Sequence, residues 1–141
     1  MILLDTNILI HGNQDASPHF STITNRLIEF ADNDEELVIC PQVLYEFYAV
    51  ATRPEEARGG LGMSSESALS QIKKFHANYL FINDSENLFD VWLELLQKFN
   101  SLGTSAHDTR LVAFMKSQNI EQLYTMNNRH FNRYAGIIII V

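Results

Sequence analysis

Asp5, Glu46 and Asp108 are the three acids whose neighbours make them hard to read as ordinary surface charge. Asp5 follows the apolar run Met1 to Leu4 and is itself followed by Ile8, Leu9 and Ile10. Glu46 falls, at about 100° per residue, beside Val50 and at the edge of the stripe formed by Val43, Leu44, Phe47, Val50 and Ala51. Asp108 precedes Leu111, Val112 and Met115 at i+3, i+4 and i+7, near the middle of an apolar stripe where a lone ionised carboxylate is costly. Each acid also has a plainer reading. Asp5-Thr6-Asn7 suits a helix cap or an Asx-turn, Glu46 suits a boundary residue with its stem packed, and Ser105-x-x-Asp108 has the spacing of a loose capping box. Together they say more, because each follows a strand or opens a helix at the same end of the expected sheet. Three converging carboxylates repel one another unless a cation lies among them. An all-oxygen donor set suits a hard ion, Mg²⁺ or Mn²⁺. The histidines (His11, His19, His76, His107, His130) are too scattered to point to zinc.

The elements that must position these acids are legible as alternating patterns. Met1 to Leu4, Leu37 to Cys40, Tyr79 to Ile82, Gln122 to Thr125 and Ile137 to Val141 are short apolar runs of the kind a buried parallel sheet needs. Helical periodicity fills Phe20 to Ala31, Gln42 to Thr52, Ser65 to Ala77 and about Ala106 to Ser117, and another helix reaches Phe99 with Asp84 as its expected N-cap. The alternation predicts βαβ units in a three-layer α/β/α sandwich with a central, mainly parallel sheet of about five strands. Asp5 then stands at the carboxyl end of the first strand, where ligands bind in open sheets. Arg53 to Ser64, with Pro54 and three glycines in four positions, reads as a flexible loop within a single domain spanning residues 1–141.

Bulk properties narrow the field. A chain of 141 residues, 46% hydrophobic, can bury a proper core without staples. Its one cysteine, Cys40, lies in an apolar run and reads as a buried thiol, consistent with a reducing cytoplasm. The first ten residues are apolar but have no basic leader, and no apolar run approaches the ~20 residues a membrane span needs. A net charge of −7 argues against a broad basic surface, so nucleic-acid contact must be local or use bound cations.

Four segments in order resemble the motifs of the PIN-domain ribonucleases, in particular VapC toxins of toxin–antitoxin modules. They are Leu3-Leu4-Asp5-Thr6-Asn7, Pro41-Gln42-Val43-Leu44-Tyr45-Glu46-Phe47, Ser105-Ala106-His107-Asp108-Thr109 and Thr125-Met126-Asn127-Asn128-Arg129-His130-Phe131. The resemblance covers essentially the whole chain. It implies Mg²⁺- or Mn²⁺-dependent cleavage of RNA, with Asp5, Glu46 and Asp108 as ligands and catalytic acids. It makes Asn7, Thr125 and Asn127 the groups that orient them, and Arg110, Arg129, His130 and Arg133 the candidates for phosphate contact. It also implies a VapB-like antitoxin partner, a homodimer and a cytoplasmic location. The family often carries a fourth acid where this chain has Asn127, which favours one firmly bound ion over two. A housekeeping RNA-processing nuclease and a non-catalytic PIN-like module binding RNA or protein are the alternatives. A phosphatase or receiver on a doubly wound sheet fits less well: Asp5 has no acidic neighbour, and no lysine follows Lys116.

Overall fold

Ile2, Leu3 and Leu4 are each exposed by 1% or less, because the strand they form, β1 (Ile2–Leu4), has a partner on either side and helices over both faces. The computed structural model describes residues 1–141. After β1 come α1 (Thr6–His11), α2 (Phe20–Asp32), β2 (Leu37–Ile39), α3 (Pro41–Ala51), α4 (Ser65–Asn78) and β3 (Leu80–Phe81). The second half holds α5 (Leu88–Phe99), α6 (Ser105–Gln118), β4 (Gln122–Tyr124), α7 (Asn128–Phe131), a 3-10 turn (Asn132–Tyr134) and β5 (Ile139–Ile140). The five strands form one parallel sheet in the order β3-β2-β1-β4-β5. The expected three-layer α/β/α architecture is thus the one observed. α1 packs on α2 and α3, and α3 on α4, while α5 packs along α6 and α6 against α7.

The chain order reverses at β1, between β2 and β4. This is the switch point at which an open parallel sheet leaves a crevice beyond its carboxyl ends. Asp5, Cys40 and Thr125 are the residues that leave β1, β2 and β4 at that end.

The capping reading of Asp5-Thr6-Asn7 describes what forms: residues Ile8 to Ile10 belong to α1, which Asp5 caps by accepting from the Thr6 amide at 2.7 Å. Two local expectations are corrected. Asp84 does not cap α5. That helix starts four residues later behind Asn87, and the Asp84 carboxylate instead accepts from Arg110 Nη2 at 2.5 Å. The apolar C-terminal run yields only a two-residue strand, because Gly136 at φ +96° and the turn before it consume its start. As an edge strand β5 has one neighbour, and Ile139 stays 54% exposed. Cys40 is fully buried, and burial pushes its thiol up to about 11. Residues 53–64 carry no regular element and fold back on α3, with the amides of Leu61 and Met63 bonded to the carbonyls of Val50 and Ala51. No helix is long and apolar enough to cross a membrane.

Candidate active site

Asp5 reaches the crevice because β1 ends there and α1 begins there. Its Oδ1 accepts from the Thr6 amide, and its Oδ2 accepts from Asn7 Nδ2 at 2.5 Å and from Thr125 Oγ1 at 2.6 Å. The Thr125 hydroxyl, having given its one proton to Asp5, accepts from Asn7 Nδ2 at 3.2 Å and from the Asn127 amide at 2.9 Å. Asn7 Oδ1 takes the Met126 amide at 3.0 Å. Asp5 is therefore pinned between the ends of β1 and β4, with two donors on Oδ2 and one on Oδ1, which keeps a lone pair free.

Glu46 enters from α3. It lies on the turn after Gln42, and the two share one face of the helix as i and i+4. Gln42 Nε2 donates to Glu46 Oε1 at 2.9 Å and Thr6 Oγ1 donates to Oε2 at 2.7 Å. Asp108 comes from the first turn of α6, where the helix N-terminus favours negative charge. The Ser105 hydroxyl is occupied with the amide and carbonyl of Leu102, so Asp108 completes no capping box. It is half-buried, and its Oδ2 lies 3.6 Å from His130 Nδ1. Two anchors hold this turn. Trp92 Nε1 on α5 donates to the Ala106 carbonyl at 3.0 Å, and Thr109 Oγ1 lies 2.8 Å from the Tyr134 hydroxyl.

The three acids sense one another. Burial, reinforced by repulsion from Glu46 and Asp108, pushes the Asp5 carboxyl up to about 6, against the lowering effect of its hydrogen bonds from Thr125 and Thr6. Burial likewise raises Asp108, with Glu46 adding repulsion and His130, His107 and Arg133 opposing it. Glu46, Thr104, His107, Asp108, Asn127 and His130 line an open cleft of about 420 Å³ with no hydrophobic wall. Glu46 and Asp108 face this space, and Asp5 lies buried behind its wall; no three His, Cys, Asp or Glu side chains are gathered tightly enough to clasp an ion as they stand. A comparable groove of about 500 Å³ lies between α2 and the amino ends of β2 and β3, lined by Leu27, Ile28, Leu37 and Leu80, at the opposite end of the sheet from the acids.

Residues 2–137 match the family model of the PIN domain. The chain belongs to the PIN-domain family. Its fold is also that of several solved structures at low sequence identity. A chain of the VapBC2 complex of Rickettsia felis, bound to a promoter DNA fragment, matches with a TM-score of 0.75 and 21% identity over 100% of this chain and 98% of that one. The Mycobacterium tuberculosis VapC20 toxin, described as cleaving the sarcin–ricin loop, matches with a TM-score of 0.68 and 15% identity over 94% of each chain. A toxin–antitoxin complex from Klebsiella pneumoniae gives 0.67 and 19%, over 100% of this chain and 96% of that one. No curated protein matches the sequence.

Within this PIN domain the ten residues singled out by sequence fall into three groups. Asp5, Asn7, Glu46, Asp108, Thr125, Asn127 and His130 all meet at the crevice, directly or through one hydrogen bond. Arg129 stands exposed on α7 beside it. Arg110 and Arg133 are engaged elsewhere. Arg110 bonds Asp84 and Gln42 Oε1, and Arg133 donates to the Phe99 carbonyl and lies over the Tyr134 ring. Sequence reasoning passed over Thr6 and Gln42, the two donors to Glu46. The i, i+4 spacing of Gln42 and Glu46 was the available signal for one; nothing local marks Thr6.

Proposed function

We propose that this PIN domain is a divalent-cation-dependent endoribonuclease acting as the toxin of a VapBC-type toxin–antitoxin pair. The observation that carries the reading is the convergence of Asp5, Glu46 and Asp108 from β1, α3 and α6 on one crevice, where burial and mutual repulsion raise the Asp5 carboxyl to about 6. The donor set fits a hard cation. Its three acids offer carboxylate oxygens, no thiolate stands among them, His107 and His130 line the same cleft as outer partners, and the added positive charge relieves the repulsion. Asp5 and Asp108 would hold Mg²⁺ or Mn²⁺ directly and Glu46 directly or through water. The bound ion would acidify the attacking water and offset charge developing on the phosphate.

The chain's own groups do the rest. Asn7 and Thr125 fix the direction of Asp5 Oδ2. Glu46, half-buried and restrained on both oxygens, accepts the proton of the attacking water. At the rim, Arg129 offers positive charge and His130 a ring N–H to the substrate phosphates. Asn127 supplies an amide in place of a fourth carboxylate, so one ion is held firmly. The solved neighbours, among them toxin–antitoxin complexes and a toxin that cleaves the sarcin–ricin loop, support the same class of substrate and partner. A VapB-like antitoxin fits the acidic cleft by inserting a cationic side chain, and a homodimer is the expected assembly.

Single-stranded and hairpin RNAs incubated with the purified protein in Mg²⁺ or Mn²⁺ test the reading. Cleavage by the wild type, abolished by EDTA and by Asp5→Asn or Asp108→Asn while circular dichroism stays unchanged, is expected. Undiminished cleavage by either variant overturns it. Growth arrest on induction of the wild type, relieved by Asp5→Asn, is the corresponding result in cells.

A further inference from the structure

Gln42 is a buried amide, 7% exposed, with three polar neighbours of fixed character. Its Oε1 accepts from Arg110 Nη1 at 3.0 Å, while its Nε2 donates to Glu46 Oε1 at 2.9 Å and to the His107 carbonyl at 3.0 Å. A guanidinium can only donate, and a carboxylate and a carbonyl can only accept. Turning the amide over would set nitrogen against guanidinium and oxygen against carboxylate and carbonyl, so one orientation alone is compatible with the site. Arg110 is itself held, because its Nη2 pairs with Asp84 Oδ2 at 2.5 Å. Asp84, Arg110, Gln42 and Glu46 thus form a directed chain from the carboxyl end of β3 to the catalytic crevice, across three elements that approach only in the folded protein.

We propose that Gln42 is a positioning residue that aims Glu46, and that Arg110 influences the reaction only by fixing the orientation of Gln42 rather than by touching substrate phosphate. Thr6 restrains the other Glu46 oxygen, so the two donors together set the plane of the carboxylate and leave its remaining lone pairs facing the cleft. The inference rests on the nuclease reading for its kinetic consequences, but its geometric core does not.

The test compares wild type, Gln42→Met, Arg110→Met, Arg110→Lys and the double variant Gln42→Met/Arg110→Met. Removing a group that orients a metal-binding side chain typically costs about 10–100-fold in metal affinity or activity. Gln42→Met is expected to lower kcat by about that factor with KM for RNA nearly unchanged, and to weaken Mn²⁺ binding, read by calorimetry with the metal alone, by about tenfold. Arg110→Met is expected to lose less in the same direction, and Arg110→Lys, which offers a single point donor, to fall between it and wild type. The double variant is expected to be no worse than Gln42→Met, the non-additivity of two residues acting through one path.

A readout independent of activity is the Gln42 side-chain amide signal in metal-free protein by NMR. Its protons are expected to exchange slowly in wild type and to shift and exchange faster in Arg110→Met. Three results overturn the proposal: a raised KM with intact kcat in Arg110→Met, multiplicative losses in the double variant, or a Gln42 amide signal indifferent to Arg110. A lowered melting temperature in Gln42→Met with kcat and Mn²⁺ affinity intact also overturns it, since that leaves Gln42 as a mere staple between α3 and α6. If wild type binds Mn²⁺ yet cuts no RNA, the nuclease reading fails while the amide signal and the weakened Mn²⁺ binding still decide the role of Gln42.

Discussion

Asp5 is satisfied by hydrogen bonds on both oxygens and yet is harder to ionise than an ordinary carboxylate, because burial and two neighbouring acids outweigh its donors. The consequence for stability has a definite sign. The folded protein binds the Asp5 proton more tightly than the unfolded chain does. Stability from that proton is complete below the unfolded value of 3.8 and is lost as pH rises through about 6. For the metal-free protein this amounts to about 3 kcal/mol at about 1.4 kcal/mol per unit, and the raised Asp108 acts in the same direction. Thermal melts in EDTA from pH 4 to 7 should therefore fall more steeply with rising pH for wild type than for Asp5→Asn; parallel curves would contradict the coupling. Mn²⁺ at pH 7 should restore the lost stability in wild type, and by less in Asp5→Asn. At this scale the sequence was readable where the chemistry is local. Asp5 follows its own strand and Asp108 sits in its own apolar stripe. Thr6 and Gln42 were opaque because each acquires its meaning from a partner or neighbour on another element.

At the level of elements, the two anchors of the site differ in how they are held. β1 is enclosed on both sides by strands, so Asp5 inherits a rigid mount. The first turn of α6 has no side-chain cap and relies on tertiary anchors, with α5 packed along it and Leu95 fully buried. Leu95→Ala should cost about 2–5 kcal/mol by the cavity it leaves, measured by urea unfolding. α6 ends on Asn119 in the left-handed conformation, φ 55°. Replacing Asn119 by alanine should cost about 1 kcal/mol, and by glycine nearly nothing; equal losses would remove the conformational explanation. Most elements were visible in the periodicity, and the exceptions share a cause. α1 is too short to show a helical repeat, and Asp84 looked like a cap because its partner Arg110 is distant in sequence. The run Ile137 to Val141 is uniformly apolar but sits at a sheet edge, and a sequence does not show how many neighbours a strand has.

Across the whole molecule, charge is the governing constraint. On the proposed function, a chain of net charge −7 whose cleft is rimmed by acids would recruit polyanionic RNA with few cations of its own, since Arg110 and Arg133 are committed to internal partners. Apparent RNA affinity should then fall by less than about tenfold between 50 and 200 mM salt, reflecting one or two phosphate contacts, and should depend more on divalent cation than on ionic strength. A steep salt slope, measured by filter binding of Asp108→Asn, would reveal a basic surface not recognised here. The α/β alternation and the order of motifs made the architecture legible, but not the strand order, which depends on pairings between distant segments. That order has a temporal meaning. β1 precedes the other four strands and lies at the centre, yet one of its two flanking strands, β4, follows only after α1 to α6. Asp5 cannot be clamped by Thr125 until β4 has left the ribosome, so the proposed site stays unassembled while all the elements between β1 and β4 are being made.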